Sequence, residues 1–413
     1  MVRIMNPTPP PLPRLHGGPD ALGVPLHDFS TNSNACGPCP PALLAVQQAD
    51  ATRYPDASYT ALREQLAHRH GVARERVLLA GSASEFIFRI SAAVAQQCNL
   101  NERTVWLPPH SYGDYAHAAQ AWGLTPTAQA QEVSLRWCCD PSSPLGAPQP
   151  ELARLCEPSP APLASGRLTA PPSLVVLDRA YEPLRLDGAV AVSAEALHQV
   201  WQLWSPNKAL GLTGVRAAYV IAPLDSEAMV ATLERLCPSW PLGAHGVALL
   251  QAWVQPEVQA WLAQSLHTLR EWKALQTSML SALGWTCLPS VANFFCARPS
   301  QALDLNAVRA AGIKLRDTSS FGLPGHIRLS VQPPAAQDAL NTVLQSRLNV
   351  SSGQLIASAA AEKMASFQTL DNLRKEAALG KREDVESFLE RVPNVPAQAG
   401  DAPLSVDHLD HGH

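Results

Sequence analysis

The sequence predicts an α/β protein built on a mostly parallel β-sheet, and two observations lead to this prediction. Short apolar runs at 77–80, 105–107 and 174–177 alternate with segments of helical character up to about residue 240. Continuous apolar runs are typical of strands covered on both faces, and their alternation with helices is typical of a parallel sheet. The length of 413 residues is sufficient for two or three domains.

The segments between these runs justify the remaining elements. Residues 59–70 contain no proline or glycine, and Leu62 and Leu66 stand four apart, which predicts an amphipathic helix. Val247–Leu283 is predicted as a long helical region whose tryptophans pack in the core or at an interface. We expect four parts: an arm and entry loop (1–50), a large domain (51–284), a small α+β domain (285–350) and a helical, partly disordered appendage (351–413).

Composition excludes several classes of protein. The formal net charge is −4, which gives no reason to propose nucleic acid or a membrane as a partner. Apolar runs stay below the roughly 18 residues of a membrane span, and the first residues lack the apolar core of a signal peptide, so we expect a cytoplasmic protein. The nine cysteines are irregularly spaced and are predicted to be free thiols, and the histidines show no zinc-site spacing. Cys36 and Cys39 have the spacing of a redox motif, but no thioredoxin-like βαβ unit surrounds them.

The run from Ser205 to Arg216 is the most informative part of the chain. Lys208 lies three residues after Ser205 and eight before Arg216, within a stretch of small residues. This spacing suits a lysine that forms a Schiff base with pyridoxal phosphate (PLP), while the serine hydroxyl and the guanidinium bind its phosphate. The alternative for an isolated match is a surface lysine and a solvated arginine.

A second pattern lies thirty residues upstream. The apolar run 174–177 ends in Asp178, and Tyr181 follows three residues later. Ligands of parallel sheets bind at the carboxyl ends of the strands, where an aspartate can pair with the pyridine nitrogen of PLP. Tyr181 could hydrogen-bond the phenolic oxygen of the same ring. The alternative for Asp178 is a helix N-cap.

These motifs, with five others in the same order, resemble the fold-type I PLP enzymes of the class I/II aminotransferase superfamily. The branch that holds histidinol-phosphate aminotransferase and threonine-phosphate decarboxylase is the most similar, from about His16 to about Arg347. The resemblance implies an aspartate aminotransferase-like fold with a seven-stranded-type sheet. The five further motifs are Arg53–Asp56, Gly81–Glu85, Pro109–Tyr112, Ala292–Phe294 and His326–Ser330.

The resemblance also implies roles for individual residues around PLP. Tyr54 would reach the cofactor phosphate of a second subunit, which implies a homodimer. Ser143 stands where the family has an asparagine on the phenolic oxygen, so that contact would be lost or bridged by water. The other implied cofactor contacts are the backbone N–H groups of Ser82, Ala83 and Ser84 around the phosphate, the stacked ring of Tyr112, and Asp178, Tyr181, Ser205, Lys208 and Arg216 as above.

Four residues are predicted to bind the substrate. Arg328 matches the arginine that grips the α-carboxylate, a bidentate task that lysine performs poorly. His16 and Arg316 match residues near the substrate phosphate in threonine-phosphate decarboxylases, and Asn34 belongs to the similar N-terminal segment. The expected substrate is a small phosphorylated amino acid or amine.

Three functions remain open from the sequence. The leading prediction is decarboxylation of L-threonine O-3-phosphate in cobalamin biosynthesis. The second is a histidinol-phosphate-like aminotransferase that uses 2-oxoglutarate, because the same residues serve both reactions. The third is a catalytically weak scaffold, which the serine at position 143 suggests.

Overall fold

The computed structural model describes residues 16–130, 133–157 and 173–347. The first fifteen residues of the predicted arm and the predicted appendage at 351–413 lie outside the described residues. Thirteen strands are described: β1 His27–Asp28, β2 Val77–Ala80, β3 Thr104–Trp106, β4 Thr125–Thr127, β5 Leu135–Cys139, β6 Leu174–Asp178, β7 Trp201–Trp204, β8 Ala218–Ile221, β9 Thr286–Cys287, β10 Phe294–Arg298, β11 Ile313–Lys314, β12 Arg316–Asp317 and β13 Ile327–Ser330.

Eleven α-helices and four single 3₁₀ turns connect these strands within the described ranges. The α-helices are α1 Pro40–Gln47, α2 Thr60–His70, α3 Ala83–Gln97, α4 Gly113–Ala121, α5 Leu152–Cys156, α6 Ala194–Leu197, α7 Glu227–Arg235, α8 Ala244–Trp253, α9 Pro256–Ala282, α10 Leu305–Ala310 and α11 Pro334–Arg347. The 3₁₀ turns are Arg74–Arg76, Leu100–Glu102, Glu182–Leu184 and Ser319–Phe321. None of the described helices is both long and apolar enough to cross a membrane.

The central sheet has seven strands in the order β2-β8-β7-β6-β5-β3-β4. Neighbours from β7 to β4 pair in parallel, whereas β8 pairs antiparallel with both β7 and β2, so one strand is reversed. Every residue of β2, β5, β7 and β8 is buried, because helices cover both faces. The predicted fold class, a mostly parallel α/β sheet of the aspartate aminotransferase type, is confirmed.

Alternate side chains of the central strands enter two different cores. On β2, Leu78 packs into the cluster that contains Phe86 of α3, while Leu79 packs into the cluster that contains Trp253 of α8. This two-sided packing follows from the two-residue period of a strand. It explains why β2 shows an unbroken apolar run rather than alternation.

A smaller antiparallel sheet, in the order β12-β13-β10-β9, lies within residues 286–330. Strand β1 pairs in parallel with β11, which attaches the segment after His27 to this part of the chain. The predicted single helical region Val247–Leu283 needs correction, because α8 ends at Trp253 and α9 begins at Pro256. A proline disfavours helical geometry at the residue before it, and Gln255 is extended.

His70, a half-buried histidine at the end of α2, contacts side chains of β7 and β8. His70 Nε2 is 2.9 Å from the Tyr219 hydroxyl, which also accepts a hydrogen bond from Trp253 Nε1 at 3.1 Å. The ring of His70 lies 5.1 Å from that of Trp204. Burial, with smaller contributions from the charges of Arg69 and Arg179, lowers the pKa of His70 from 6.5 to about 4.

We expect this histidine to weaken the fold in mild acid. Between pH 6.5 and about 4 the histidine is protonated in the unfolded chain but neutral in the folded chain. The free energy of unfolding therefore decreases as the pH is lowered through this window. The shift corresponds to a loss of about 3 kcal/mol in the free energy of unfolding. Urea unfolding at pH 7 and pH 4.5 measures it, and His70→Gln should show a smaller acid-induced loss. Equal losses in the two proteins would contradict the assignment to His70.

Candidate active site

A cavity of about 680 Å³ opens where β5, β6 and β7 end. Residues of the small sheet and of the segment after His16 close its other side. Twelve predicted site residues line it: His16, Ala83, Ser84, Tyr112, Ser143, Asp178, Tyr181, Ser205, Lys208, Arg216, Arg316 and Arg328.

Lys208 lies on the loop that follows β7, with its ammonium 5.1 Å from the ring centre of Tyr181. The carbonyl of Lys208 accepts hydrogen bonds from the backbone N–H of Asn34 at 2.9 Å and of Gly211 at 3.2 Å. Asn207 holds the rest of the loop, because its Nδ2 donates to the carbonyls of Thr213 and Val215, each at 3.3 Å. Asn207 lines the cavity, and its side-chain amide stabilises the loop that carries Lys208.

Asp178 is buried at the end of β6 and is held by two donors. The Tyr115 hydroxyl donates to Oδ2 at 2.6 Å, and the N–H of Ala180 donates to Oδ1 at 2.9 Å. Burial raises the pKa of Asp178, whereas the hydrogen bond from Tyr115 and the charge of Lys208 act in the opposite direction. A cation placed beside this buried acid would strongly favour its ionised form.

Tyr115 was not singled out in the sequence analysis. Its ring stacks on Trp137 at 4.4 Å and is fully buried, which fixes the hydroxyl against Asp178. Tyr115 lies three residues after Tyr112, the N-cap residue of α4, and the two rings meet edge to face at 5.8 Å. The three-residue spacing from Tyr112 is the sequence signal that could have indicated Tyr115.

The N-terminus of α3 faces the cavity through Ala83 and Ser84. The Ser84 hydroxyl lies 3.2 Å from the Tyr112 hydroxyl, and an anion is favoured at such a helix terminus. Ser82 is not among the residues that line the cavity, and the role of its backbone N–H at the phosphate stays a prediction. Its hydroxyl accepts from the N–H of Glu85 at 3.1 Å and caps the helix.

Two arginines face the cavity from neighbouring strands. Arg316 on β12 lies directly opposite Arg328 on β13, and the guanidinium carbons lie 4.9 and 5.6 Å from the ring centre of Phe321. Arg328 Nη2 donates to the Ser30 carbonyl at 2.9 Å, whereas its buried Nε has no hydrogen-bond partner among the described residues. Burial and the charge of Arg328 lower the pKa of Arg316. The pair is therefore suited to a ligand with two anionic groups.

His16 lies exposed at the mouth of the cavity, next to a tightly packed glycine. A Cβ atom added at Gly17 would lie 2.2 Å from the Ser30 carbonyl oxygen. The N–H of Gly18 donates to the Ser30 hydroxyl at 3.0 Å. The backbone around His16 is consequently fixed against the same residue that receives Arg328.

Besides Ser82, two predicted residues do not line the cavity. The predicted substrate-binding role of Asn34 needs correction. Its Nδ2 donates to the carbonyl of Ala209 at 3.0 Å and to the hydroxyl of Ser265 at 2.8 Å, so Asn34 is a buried structural residue. Tyr54 is 79% exposed and stacks on Trp240 at 4.5 Å. It does not line the cavity of its own chain, and its role across subunits stays a prediction.

Two further residues that line the cavity were missed. Asn32 donates from Nδ2 to the Tyr181 hydroxyl at 3.1 Å, across 149 residues of sequence. Cys139 pairs with Asp178 in the sheet register, and burial raises the pKa of its thiol well above the ordinary value. Nothing in the local sequence around either residue indicates these positions.

The donor set of the cavity fits PLP. A buried acid is available for a protonated pyridine nitrogen, and the ring of Tyr112 is available for stacking. Lys208 would supply the amine, and the N-terminus of α3 with Ser84 and Arg216 would supply donors to the phosphate. Arg216 is exposed at the edge of the cavity and has the room to bind an anion. On a seven-stranded sheet with one reversed strand, these residues define a PLP-dependent enzyme of fold type I.

Comparisons with known proteins agree with this class. The family model "Aminotransferase class I and II" matches residues 168–348. Histidinol-phosphate aminotransferase 1 of Thiobacillus denitrificans is 27% identical over 346 residues, which cover 76% of this chain and 85% of that protein. The chain is similar to the class I and II aminotransferases, and these matches support a PLP-dependent enzyme.

Two solved structures show the same fold. Histidinol-phosphate aminotransferase from Sinorhizobium meliloti, solved with pyridoxal-5′-phosphate, aligns with a TM-score of 0.62 at 20% identity and covers 76% of this chain and 90% of that one. L-threonine-O-3-phosphate decarboxylase from Porphyromonas gingivalis aligns with a TM-score of 0.62 at 19% identity and covers 78% and 99%. The predicted family and cofactor are confirmed, and the catalytic activity is left open between the two.

Proposed function

We propose that this enzyme decarboxylates L-threonine O-3-phosphate to (R)-1-amino-2-propanol phosphate, a reaction of cobalamin biosynthesis. The observation that carries the proposal is the pair Arg316 and Arg328, which face each other across β12 and β13 beside the ring of Phe321. Cross-strand neighbours have Cα atoms roughly 5 Å apart. The carboxylate and phosphate of the substrate stand on adjacent carbons, which matches two guanidinium groups held this close.

Each arginine has a distinct task in this proposal. Arg328 would bind the carboxylate and hold the Cα–carboxylate bond in the orientation in which it breaks readily. Arg316 and His16 bind the phosphate, which prevents the substrate from rotating about that alignment. The hydrogen bond from Arg328 Nη2 to the Ser30 carbonyl holds the guanidinium in place at the cavity.

The remaining residues handle charge and protons. PLP, when bound, supplies an electron sink for the electron pair of the bond that breaks. Asp178 keeps a positive charge on the pyridine nitrogen, and Tyr115 holds that carboxylate in place. After carbon dioxide leaves, Lys208 donates a proton to Cα from its position beside Tyr181.

A second copy of the chain is part of the proposal. Tyr54 and Trp240 form an exposed aromatic pair outside the cavity. In a homodimer Tyr54 would bind the cofactor phosphate of the other subunit, next to its exposed Arg216. Sedimentation of the PLP-loaded protein measures the oligomeric state, and a monomer at working concentration would contradict this part.

Histidinol-phosphate aminotransferase activity is the second candidate, because the curated relatives at 27% and 28% identity bear that name. Histidinol phosphate has one phosphate and no carboxylate, whereas its amino acceptor 2-oxoglutarate has two carboxylates separated by three carbons. The close arginine pair favours the shorter separation in threonine phosphate.

A direct assay separates the candidates. The PLP-loaded enzyme is incubated with L-threonine phosphate, and separately with histidinol phosphate and 2-oxoglutarate, while carbon dioxide and glutamate are followed. We expect carbon dioxide and aminopropanol phosphate from the first mixture. Glutamate from the second mixture without carbon dioxide from the first would replace the proposal with the aminotransferase.

We expect Arg316→Met to weaken the binding of phosphorylated substrates selectively. Loss of one charge-assisted phosphate contact should raise KM for threonine phosphate about 30-fold or more, with a smaller change in PLP affinity. Methionine keeps the apolar contact with Phe321. The control is Arg309→Met, which removes an ion pair with Asp20 outside the cavity. An unchanged KM in Arg316→Met would contradict the phosphate role.

A further inference from the structure

Asn32 is a buried amide that lines the cavity and donates a hydrogen bond to Tyr181. Its side chain is 2% exposed, and Nδ2 donates to the Tyr181 hydroxyl at 3.1 Å. Its Oδ1 is buried and has no hydrogen-bond partner among the described residues. A buried amide that leaves one polar atom unpaired costs stability, which is typical of a residue whose role lies in the site rather than in the fold.

The hydrogen bond from Asn32 determines where the proton of Tyr181 can go. Because the Tyr181 oxygen accepts from Asn32, its own O–H is directed to another acceptor. Tyr181 lies against Phe294 at 4.6 Å and against the Lys208 ammonium, and neither offers an acceptor. The O–H is therefore available to an acceptor bound in the cavity beside Lys208.

The segment from Ser30 to Asn34 places Asn32 by contacts at both ends. The Ser30 carbonyl receives Arg328, and the N–H of Asn34 donates to the Lys208 carbonyl at 2.9 Å. In between, the Ser33 carbonyl accepts from Asn293 Nδ2 at 2.9 Å. One short segment consequently contacts the carboxylate arginine, the tyrosine and the lysine loop.

We propose that Asn32 is a positioning residue which orients the Tyr181 hydroxyl so that it donates to the phenolic oxygen of bound PLP. Ser143, which also lines the cavity, stands where the resemblance implies an asparagine on the phenolic oxygen. The hydrogen bond from Tyr181, oriented by Asn32, would take the place of that contact. The inference rests on the proposed placement of Tyr181 beside the phenolic oxygen and is independent of which substrate the enzyme uses.

The expected consequence is electrostatic. A hydrogen bond donated to the phenolic oxygen stabilises its negative charge, so the adjacent nitrogen that joins Lys208 to the cofactor holds its proton less tightly. Loss of the bond should raise the pKa of that nitrogen. One well-formed bond corresponds to about one pKa unit.

The experiment is a pH titration of the visible absorbance of PLP-loaded protein without substrate. Asn32→Leu, which keeps the branching of the side chain but has no polar atoms, should raise the titration midpoint by about one unit. Asn32→Asp should raise it further, because an ionised carboxylate accepts the Tyr181 proton and turns it away from the cofactor. Ser33→Ala, which leaves the segment's backbone contacts in place, is the control and should titrate as wild type.

A double-mutant cycle with Tyr181→Phe decides between mechanisms. If Asn32 acts through Tyr181, the midpoint of the double variant Asn32→Leu/Tyr181→Phe equals that of Tyr181→Phe to within about 0.3 unit. A full additional shift would show that Asn32 acts without Tyr181 and would overturn the inference, as would a wild-type midpoint in both Asn32 variants.

The same cycle separates the inference from the site on which it rests. An unshifted midpoint in Tyr181→Phe would refute the placement of Tyr181 at the phenolic oxygen. A shifted midpoint in Tyr181→Phe with wild-type behaviour of Asn32→Leu and Asn32→Asp would refute Asn32 alone. PLP affinity and far-ultraviolet circular dichroism confirm that each variant is folded and loaded.

Discussion

Replacing Lys208 by alanine is expected to lower turnover by about 10³-fold or more, because nucleophilic and proton-transfer catalysis are lost together. Lys208 is the single lysine among the described residues that line the cavity. Borohydride reduction of the PLP-loaded wild type should fix the cofactor to the peptide that contains Lys208, whereas Lys208→Ala should remain unmodified there. Peptide mass spectrometry measures this directly.

Lys208→Arg is the matched control for charge. Arginine keeps the positive charge beside Tyr181, but its guanidinium stays protonated and is a poor nucleophile. Turnover as low as that of the alanine variant would show that the amine itself is required. Cofactor fixed to a different lysine in the wild type would refute the assignment.

Asp178→Asn is expected to have the second largest effect, a loss of about 10³-fold in turnover. Asparagine preserves the size of the side chain but has no charge to hold a proton on the pyridine nitrogen. The loss should appear in kcat more than in KM, because the charge stabilises the reaction step rather than the substrate. Retention of more than a tenth of wild-type turnover would contradict the role.

Tyr115→Phe provides the comparison for Asp178→Asn. It leaves the acid in place and removes one of its two donors. The hydrogen bond from Tyr115 lowers the pKa of Asp178, so its removal should shift the acid limb of the kcat profile to higher pH. An unshifted acid limb would show that Tyr115 only packs against Trp137.

Local sequence was sufficient for residues whose roles depend on the element that carries them. Lys208 and Asp178 follow two parallel strands, and strand ends of a parallel sheet converge, so both could be placed at one site without any structure. The apolar run at 77–80 likewise predicted a strand buried on both faces, and β2 has those bounds.

Roles that depend on distant packing could not be predicted in this way. Asn32 and Asn34 are the same residue type two positions apart, and only one lines the cavity. Ser265 of α9, 231 positions away, decides this because it binds the amide of Asn34. Tyr115 acquires its role from a strand 63 residues further on. No local pattern contains such information.

The break between α8 and α9 is a different case. Pro256 was visible in the sequence, and the rule that a proline disturbs the preceding residue predicts a boundary there. The two helices were predicted as one region because helical structure resumes at Pro256, only three residues after α8 ends.

The contact between Gly17 and the Ser30 carbonyl bears on how the specificity of this enzyme could diversify. Position 17 admits no side chain, since even a methyl group would overlap the backbone of the segment that holds Arg328. His16, in contrast, is exposed at the mouth of the cavity. Substitutions that change the substrate range can therefore accumulate at position 16, whereas position 17 must remain glycine. The fixed backbone at position 17 keeps position 16 at the mouth of the cavity whichever side chain it carries.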